Sequence, residues 1–168
     1  LGPIDIVINN AGIQHTCAIE SFPVERWDAI IAINLSSAFH TMKAVVPGMR
    51  RLGGGSVINL GSMGWKSKNP DYPCYAIAKS SVNGLTRGLA SSLGKDRIRI
   101  NTVTPGWVMT ERQVRLWLDA DGEREIARNQ CMPDQLLPHH VANMALFLAS
   151  DDSAMCTAQE FVVDGGWT

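Results

Sequence analysis

The sequence predicts an α/β fold: a parallel, doubly wound sheet with helices on its faces, present in part rather than in full. Three observations carry this expectation. Runs rich in β-branched residues at 4–8, 57–60 and 98–103 alternate with long amphipathic stretches, which is the strand–helix–strand order of right-handed crossovers. Asn9, Ser62 and Pro105 stand at the carboxyl ends of those runs, the side of such a sheet on which ligands bind. Tyr75 and Lys79 are four positions apart in a helical pattern, so both lie on one face, one turn from each other.

Composition narrows the function classes. The 168 residues are 45% hydrophobic and 18% charged, a globular balance with enough chain for one domain and too little for two. Fifteen basic and sixteen acidic residues leave a net charge of -1, and the cations are scattered, so neither a nucleic acid nor an anionic membrane is the expected partner. No apolar run is read as a membrane span and no signal-peptide pattern opens the chain, so a cytoplasmic location is expected. Cys17, Cys74, Cys131 and Cys156 are far apart in sequence and read as reduced structural thiols. The four histidines, at 15, 40, 139 and 140, form no ligand motif, so no catalytic metal is expected.

The elements follow in order. Residues 4–8 read as a buried strand that turns at Asn9, Asn10, Ala11 and Gly12, where small residues let backbone approach a ligand; taken alone, the same residues describe a plain turn. Gln14, His15 and Thr16 form a loop. A helix then starts near Ser21 as cap, with Pro23 in its first turn and Glu25 favouring the dipole. It runs through Trp27, Ile30, Ile31, Leu35 and Phe39 towards Pro47 and Gly48. Asn34 interrupts its apolar face, and a buried amide of that kind usually binds a backbone carbonyl. Residues 50–55 read as a glycine-rich turn into the strand 57–60. Asp71 is the expected cap of the next helix, Pro73 lies in its first turn, and Gly94 closes it. After the strand at 98–103, residues 111–138 lose clean periodicity. A helix at 138–150 turns Val141, Met144, Ala145, Phe147 and Leu148 inward, and 160–164 is a last short strand.

The chemistry gathers at residues 57–79. A strand-end serine, a phenol and an ammonium can converge there. A nearby cation favours the phenolate of a tyrosine whose ordinary pKa is about 10, so Lys79 is expected to lower the pKa of Tyr75. Ser62 can then hold a carbonyl or carbinol oxygen while Tyr75 exchanges its proton. No side chain carries a hydride, so a cofactor must do so.

Ser62, Tyr75 thirteen positions later and Lys79 resemble the Ser…Tyr-x-x-x-Lys arrangement of the short-chain dehydrogenase/reductase family. Asn9-Asn10-Ala11-Gly12, Asn34 within IAINLSSAF, and Pro105-Gly106-Trp107-Val108-Met109-Thr110 match the same family in order, and the resemblance runs to the closing FVVDGGWT. It implies a Rossmann-like fold, NAD or NADP as cofactor, and catalysis by Ser62, Tyr75 and Lys79 with Asn34 completing a proton relay. It also implies cofactor contacts from Asn9, Asn10, Ala11, Gly12, Tyr75, Lys79, Pro105, Gly106, Val108 and Thr110. Substrate contacts are expected from Gln14, His15, Met63, Trp107 and Arg112. In the family, residues 111–138 would form a variable lid; otherwise they form a helical hairpin covering the core. Trp107, Arg112, Gln113 and Trp117 suit a polyhydroxylated substrate, and the chain looks most like sugar (aldose) dehydrogenases. A 3-oxoacyl reductase or a hydroxy-acid dehydrogenase is the alternative. The family commonly forms dimers or tetramers, so a homo-oligomer is expected.

One family feature is absent. The glycine-rich Gly-x-x-x-Gly-x-Gly turn that seats pyrophosphate at a helix N-terminus does not occur in these residues. Residues 1–168 are therefore expected to be a single truncated domain lacking roughly three βα units of about 30 residues each. A catalytically inactive fragment is the further alternative.

Overall fold

Strands β1 (Ile6–Asn9), β2 (Gly55–Leu60), β3 (Ile98–Pro105) and β4 (Glu160–Val163) form one parallel sheet in that order in the computed structural model, which describes residues 2–168. Adjacent strands align Ile8 with Ile58, Ile58 with Asn101, and Val103 with Phe161. Side chains alternate between the two faces of a strand, so neighbours on β2 enter different cores. Val57 packs with Val7, Ile100, Met42 and Met49 on one face, while Ile58 packs with Val103, Ala145 and Leu148 on the other. Both faces of the central strands are therefore dry, as expected of a parallel sheet.

The first face is covered by α1 (Val24–Ile31), a π-helical turn (Ala32–Ser36) and α2 (Ser37–Leu52), which run on without a break, and by α3 (Pro73–Gly94). The second face is covered by α6 (Pro138–Ala149). Between β3 and α6 lie two short helices, α4 (Glu111–Trp117) and α5 (Ala120–Asn129). The aperiodic stretch is thus a helical pair. Thr110 Oγ1 accepts from the Gln113 N–H and Asp119 from those of Asp121 and Gly122, so each helix has a side-chain N-cap.

Several boundaries depart from the sequence expectation. Pro23 itself is the N-cap of α1, and Ser21 lies in a preceding 3-10 turn. The helix does not stop at Pro47 and Gly48 but runs on to Leu52, and the turn begins at Gly53, whose φ of +82° suits glycine. Tyr72, not Asp71, precedes the first turn of α3. Phe147 is 36% exposed rather than inward. The continuous helix Val24–Leu52, 29 residues, is long and apolar enough to cross a membrane by length and composition. That was not read from the sequence; here α2 packs against β1 and β2, and α1 packs against α3.

Past β4, Asp164 is 5% exposed and accepts from Gly166 N, Thr168 N and Thr168 Oγ1 at 2.8–2.9 Å. Burial alone raises its pKa, but these hydrogen bonds outweigh it and hold the carboxyl below its usual value. Gly106 lies close against this loop: a Cβ there would stand 2.7 Å from Asp164. The carboxyl end of β3 is pinned accordingly.

Candidate active site

Three elements bring their polar groups to the carboxyl edge of the sheet. β2 is followed by Gly61, where a Cβ would meet Thr104 Oγ1 at 2.7 Å, so the backbone passes close to β3 and delivers Ser62 in extended conformation. The Ser62 hydroxyl accepts from Gly64 N at 3.1 Å and lies within hydrogen-bonding reach of the Tyr75 phenol. Tyr75 sits in the first turn of α3, edge-on to Tyr72 at 5.9 Å. One turn on, Lys79 is 4% exposed, donates from Nζ to the Leu60 carbonyl at 2.7 Å, and stands 5.8 Å from the Tyr75 ring centroid.

The π-helical turn places Asn34 behind this group. Its amide pairs with the backbone of one residue, accepting from Ile13 N at 2.9 Å and donating to Ile13 O at 2.8 Å. That double bond lays the turn after β1 onto the site. A Cβ at Gly12 would be 3.0 Å from Asn34 Oδ1 and 3.7 Å from Lys79 Nζ, so glycine is what lets the turn lie close against Asn34 beside the lysine.

These groups border a cavity of about 290 Å³. Ser62, Tyr75 and Lys79 line it, as do Asn10, Gly12, Pro105, Gly106, Val108 and Thr110 from the expected cofactor set, and Gln14 and Arg112 from the expected substrate set. The remaining expected residues lie off it. Asn34 is buried behind Gly12. The Asn9 amide is committed to Asn59 at 2.8 Å. Ala11 does not border the space. His15 packs edge-on to Phe22, Met63 is buried, and Trp107 packs against Gly122 and Trp167. Gln113 and Trp117, read from the sequence as suited to a polyhydroxylated substrate, also line the cavity, and Ile13, Leu60 and Gly61 line it without having been expected. Within α4 the Trp117 ring stands 5.7 Å from the Arg112 guanidinium. A second recess of about 360 Å³, between Trp65 and Arg87, contains none of the expected site residues.

The electrostatics correct one expectation. Burial raises the Tyr75 pKa above its ordinary value; the Ser62 hydrogen bond opposes this and Tyr72 adds to it. Desolvation thus outweighs any help from Lys79, whose own pKa burial lowers to about 8. At neutral pH the phenol is protonated and the ammonium still largely charged. Among the described residues, no group of three or more His, Cys, Asp or Glu gathers as a metal site.

Comparison with known proteins places this geometry. The family described as Enoyl-(Acyl carrier protein) reductase matches residues 1–168. D-xylose 1-dehydrogenase of Caulobacter vibrioides is 41% identical over 167 residues, covering 99% of this chain and 67% of that protein. A Rhizobium meliloti protein described as a probable galactose dehydrogenase is 40% identical over 166 residues, with 99% and 65% covered. The crystal structure of a gluconate 5-dehydrogenase from Burkholderia cenocepacia in complex with NADP and tartrate superposes with a TM-score of 0.93 at 31% identity, over 99% of this chain and 66% of that one. The chain thus spans about two thirds of the length of the relatives it matches.

Proposed function

The chain belongs to the short-chain dehydrogenase/reductase family, whose members are oxidoreductases that use NAD or NADP, and on that basis we propose that it carries the catalytic part of an enzyme interconverting an alcohol and a carbonyl, with a sugar of the aldose class as substrate. One observation carries this reading: Ser62, Tyr75 and Lys79 meet at one cavity beyond the carboxyl end of β2. The sugar assignment draws on the relatives and on the lining, where Gln14, Gln113 and Trp117 offer amides for hydroxyls and a flat ring for C–H faces.

The residues present fit the nicotinamide end of such a cofactor. The bare Gly12 leaves a close approach that a Cβ would fill, and Lys79, Thr110 and the backbone at 105–108 surround the space. When bound, the cofactor supplies the site that accepts or donates hydride. Everything else is done by side chains. The Ser62 hydroxyl donates to the substrate oxygen and fixes its distance from Tyr75. The Tyr75 phenol, protonated at neutral pH, gives its proton to a carbonyl oxygen during reduction and is left as a phenolate; in the oxidation direction that phenolate, once its proton has passed to solvent, takes the proton of the carbinol. Lys79, held against the Leu60 carbonyl, places a positive charge beside the phenolate that forms. Asn34 fixes the turn carrying Gly12 and stands in line for the relay from Lys79 to solvent.

Residues 1–168 act as one domain in this reading, and a homodimer forms through the exposed faces of α2 and α3. A hydroxy-acid substrate is the second reading. It is favoured by Arg112, which lines the cavity and has no carboxylate partner among the described residues. Replacing Tyr75 with Phe tests the chemistry on a panel of aldoses and hydroxy acids with NAD and NADP. Turnover is expected to fall by roughly 10²- to 10⁴-fold while the melting curve hardly moves. Activity retained within a few-fold would remove Tyr75 from its role.

A further inference from the structure

Beneath the cavity, and outside its lining, a chain of four polar side chains crosses the first face of the sheet. Asn9 on β1 donates from Nδ2 to Asn59 Oδ1 at 2.8 Å. Asn59 on β2 donates from its own Nδ2 to Thr86 Oγ1 at 3.0 Å, and Thr86 on α3 shares a 2.8 Å hydrogen bond with Thr102 Oγ1 on β3. Asn9, Asn59 and Thr102 are direct neighbours in the strand register, so they form one polar rung with Thr86 docked on it. Asn59, Thr86 and Thr102 are each at most 1% exposed. Buried amides and hydroxyls are costly to desolvate unless paired, and apolar residues would fill the same space without that cost. The rung therefore needs a reason beyond packing.

Its directionality offers one. The stripe of α3 that faces the protein interior is mostly small or apolar, with Ala78, Val82, Ala90 and Leu93, and such contacts tolerate sliding and rotation. Only two buried side chains of α3 make hydrogen bonds that fix position: Lys79, to the Leu60 carbonyl, and Thr86, to the rung. They are seven residues apart, about 10.5 Å along one face. Two fixed points on a rod set both its axial position and its rotation. Tyr75, one turn before Lys79, bonds no strand residue; its polar partner is Ser62, just past β2, so the meeting of the two depends on the register that these points set.

We propose that Thr86 is a positioning residue of the active site, and that its hydrogen bonds to Asn59 and Thr102 hold α3 in the register that sets Tyr75 and Lys79 against Ser62. Asn9 joins the turn that carries Gly12 to the same rung, so both walls of the cavity share one reference. This inference goes beyond the catalytic roles assigned above and rests on that reading only for its kinetic arm.

The test uses the full chain and compares Thr86→Val, which removes the hydroxyl, with Thr86→Ser, which keeps it. Ile100→Val, a change in the same core on β3, controls for stability loss alone. A positioning role lowers kcat in Thr86→Val by on the order of tenfold to a hundredfold with KM within about twofold, while Thr86→Ser and Ile100→Val stay near the parent. A Thr86→Val chain that melts lower but keeps its kcat overturns the proposal. A second arm needs no turnover, so a failed substrate search does not blur the outcome. The chain has two tyrosines, and in a Tyr72→Phe background phenolate absorbance reports Tyr75 alone. With circular dichroism confirming the fold at each pH, Thr86→Val is expected to move that titration down towards the free-tyrosine value as water gains access, and Thr86→Ser to leave it in place. An unchanged titration in Thr86→Val overturns the proposal. Should Thr86→Val not fold, Thr102→Val, which cuts only the last link, carries both arms with the same criteria.

Discussion

Burial decides the protonation of the groups at the cavity, and Lys79 is the clearest case. Its folded pKa is about 8 against an ordinary 10.5. Between those values the unfolded chain binds the extra proton, so stability rises with pH across that window and the penalty is fully present below about 8. The gap corresponds to about 3 kcal/mol. Lys79→Met removes that penalty but strands the Leu60 carbonyl, which costs back about 1–3 kcal/mol. The expected outcome is a variant without turnover that is more stable by about 1 kcal/mol at pH 7 and loses the advantage near pH 10, read from urea unfolding at the two pH values. A stability difference from the parent that is the same at both pH values would mean that the lysine carries no desolvation cost. The identities of Ser62, Tyr75 and Lys79 were legible because their spacing is local. The raised pKa of Tyr75 was not, because it depends on how much water the surrounding residues exclude.

At the scale of elements, strands were easier to read than helix ends. The runs at Gly55–Leu60 and Ile98–Pro105 are dictated by burial on both faces, which leaves a continuous apolar signal, whereas the strand expected to be buried at 4–8 buries only Val7 and leaves Ile4, Ile6 and Ile8 exposed. Caps are decided by one or two dihedrals: Asp71 and Ser21 had the right side chains, but Tyr72 and Pro23 hold the cap positions. His15, Met63 and Trp107 were misplaced for a related reason, since a loop's path decides which side chain faces a cavity. Pro47 is the sharpest disagreement. Proline inside a helix removes a hydrogen bond and clashes with the preceding turn, yet α2 continues through it because Met42 and Met49, on either side, are buried at 2% and 0% exposure. Tertiary packing overrides the local preference. Pro47 is exposed, so Pro47→Ala sacrifices little contact and is expected to stabilise by about 1–2 kcal/mol, part of the helix gain being offset by a freer unfolded chain. Calorimetric melting checks this, and a lower Tm would show that the proline shapes the docking of α2.

At the scale of the whole molecule, the two sides of the sheet end differently. β4 leads into a tail tied down by Asp164, whereas β1 pairs, among the described residues, only with β2. Val7 is buried under α2, but Ile6 and Ile8 point to the other face and remain 43% and 49% exposed, next to Ile4 at 50%. An apolar edge strand with free backbone groups is a template for pairing with another chain. The net charge of -1 supplies almost no repulsion to oppose such contacts. When residues 1–168 are prepared by themselves, self-association through this edge is therefore expected to grow with concentration, separately from any dimer formed by α2 and α3. Ile8→Lys adds a charge at a half-exposed position on the edge, where the long side chain can reach water, so it should suppress that association at little cost in melting temperature. Sedimentation velocity across a concentration series reads the outcome. If Ile8→Lys associates as strongly as the parent, the edge is not the contact, and the exposed faces of α2 and α3 become the surface on which to place the same charge.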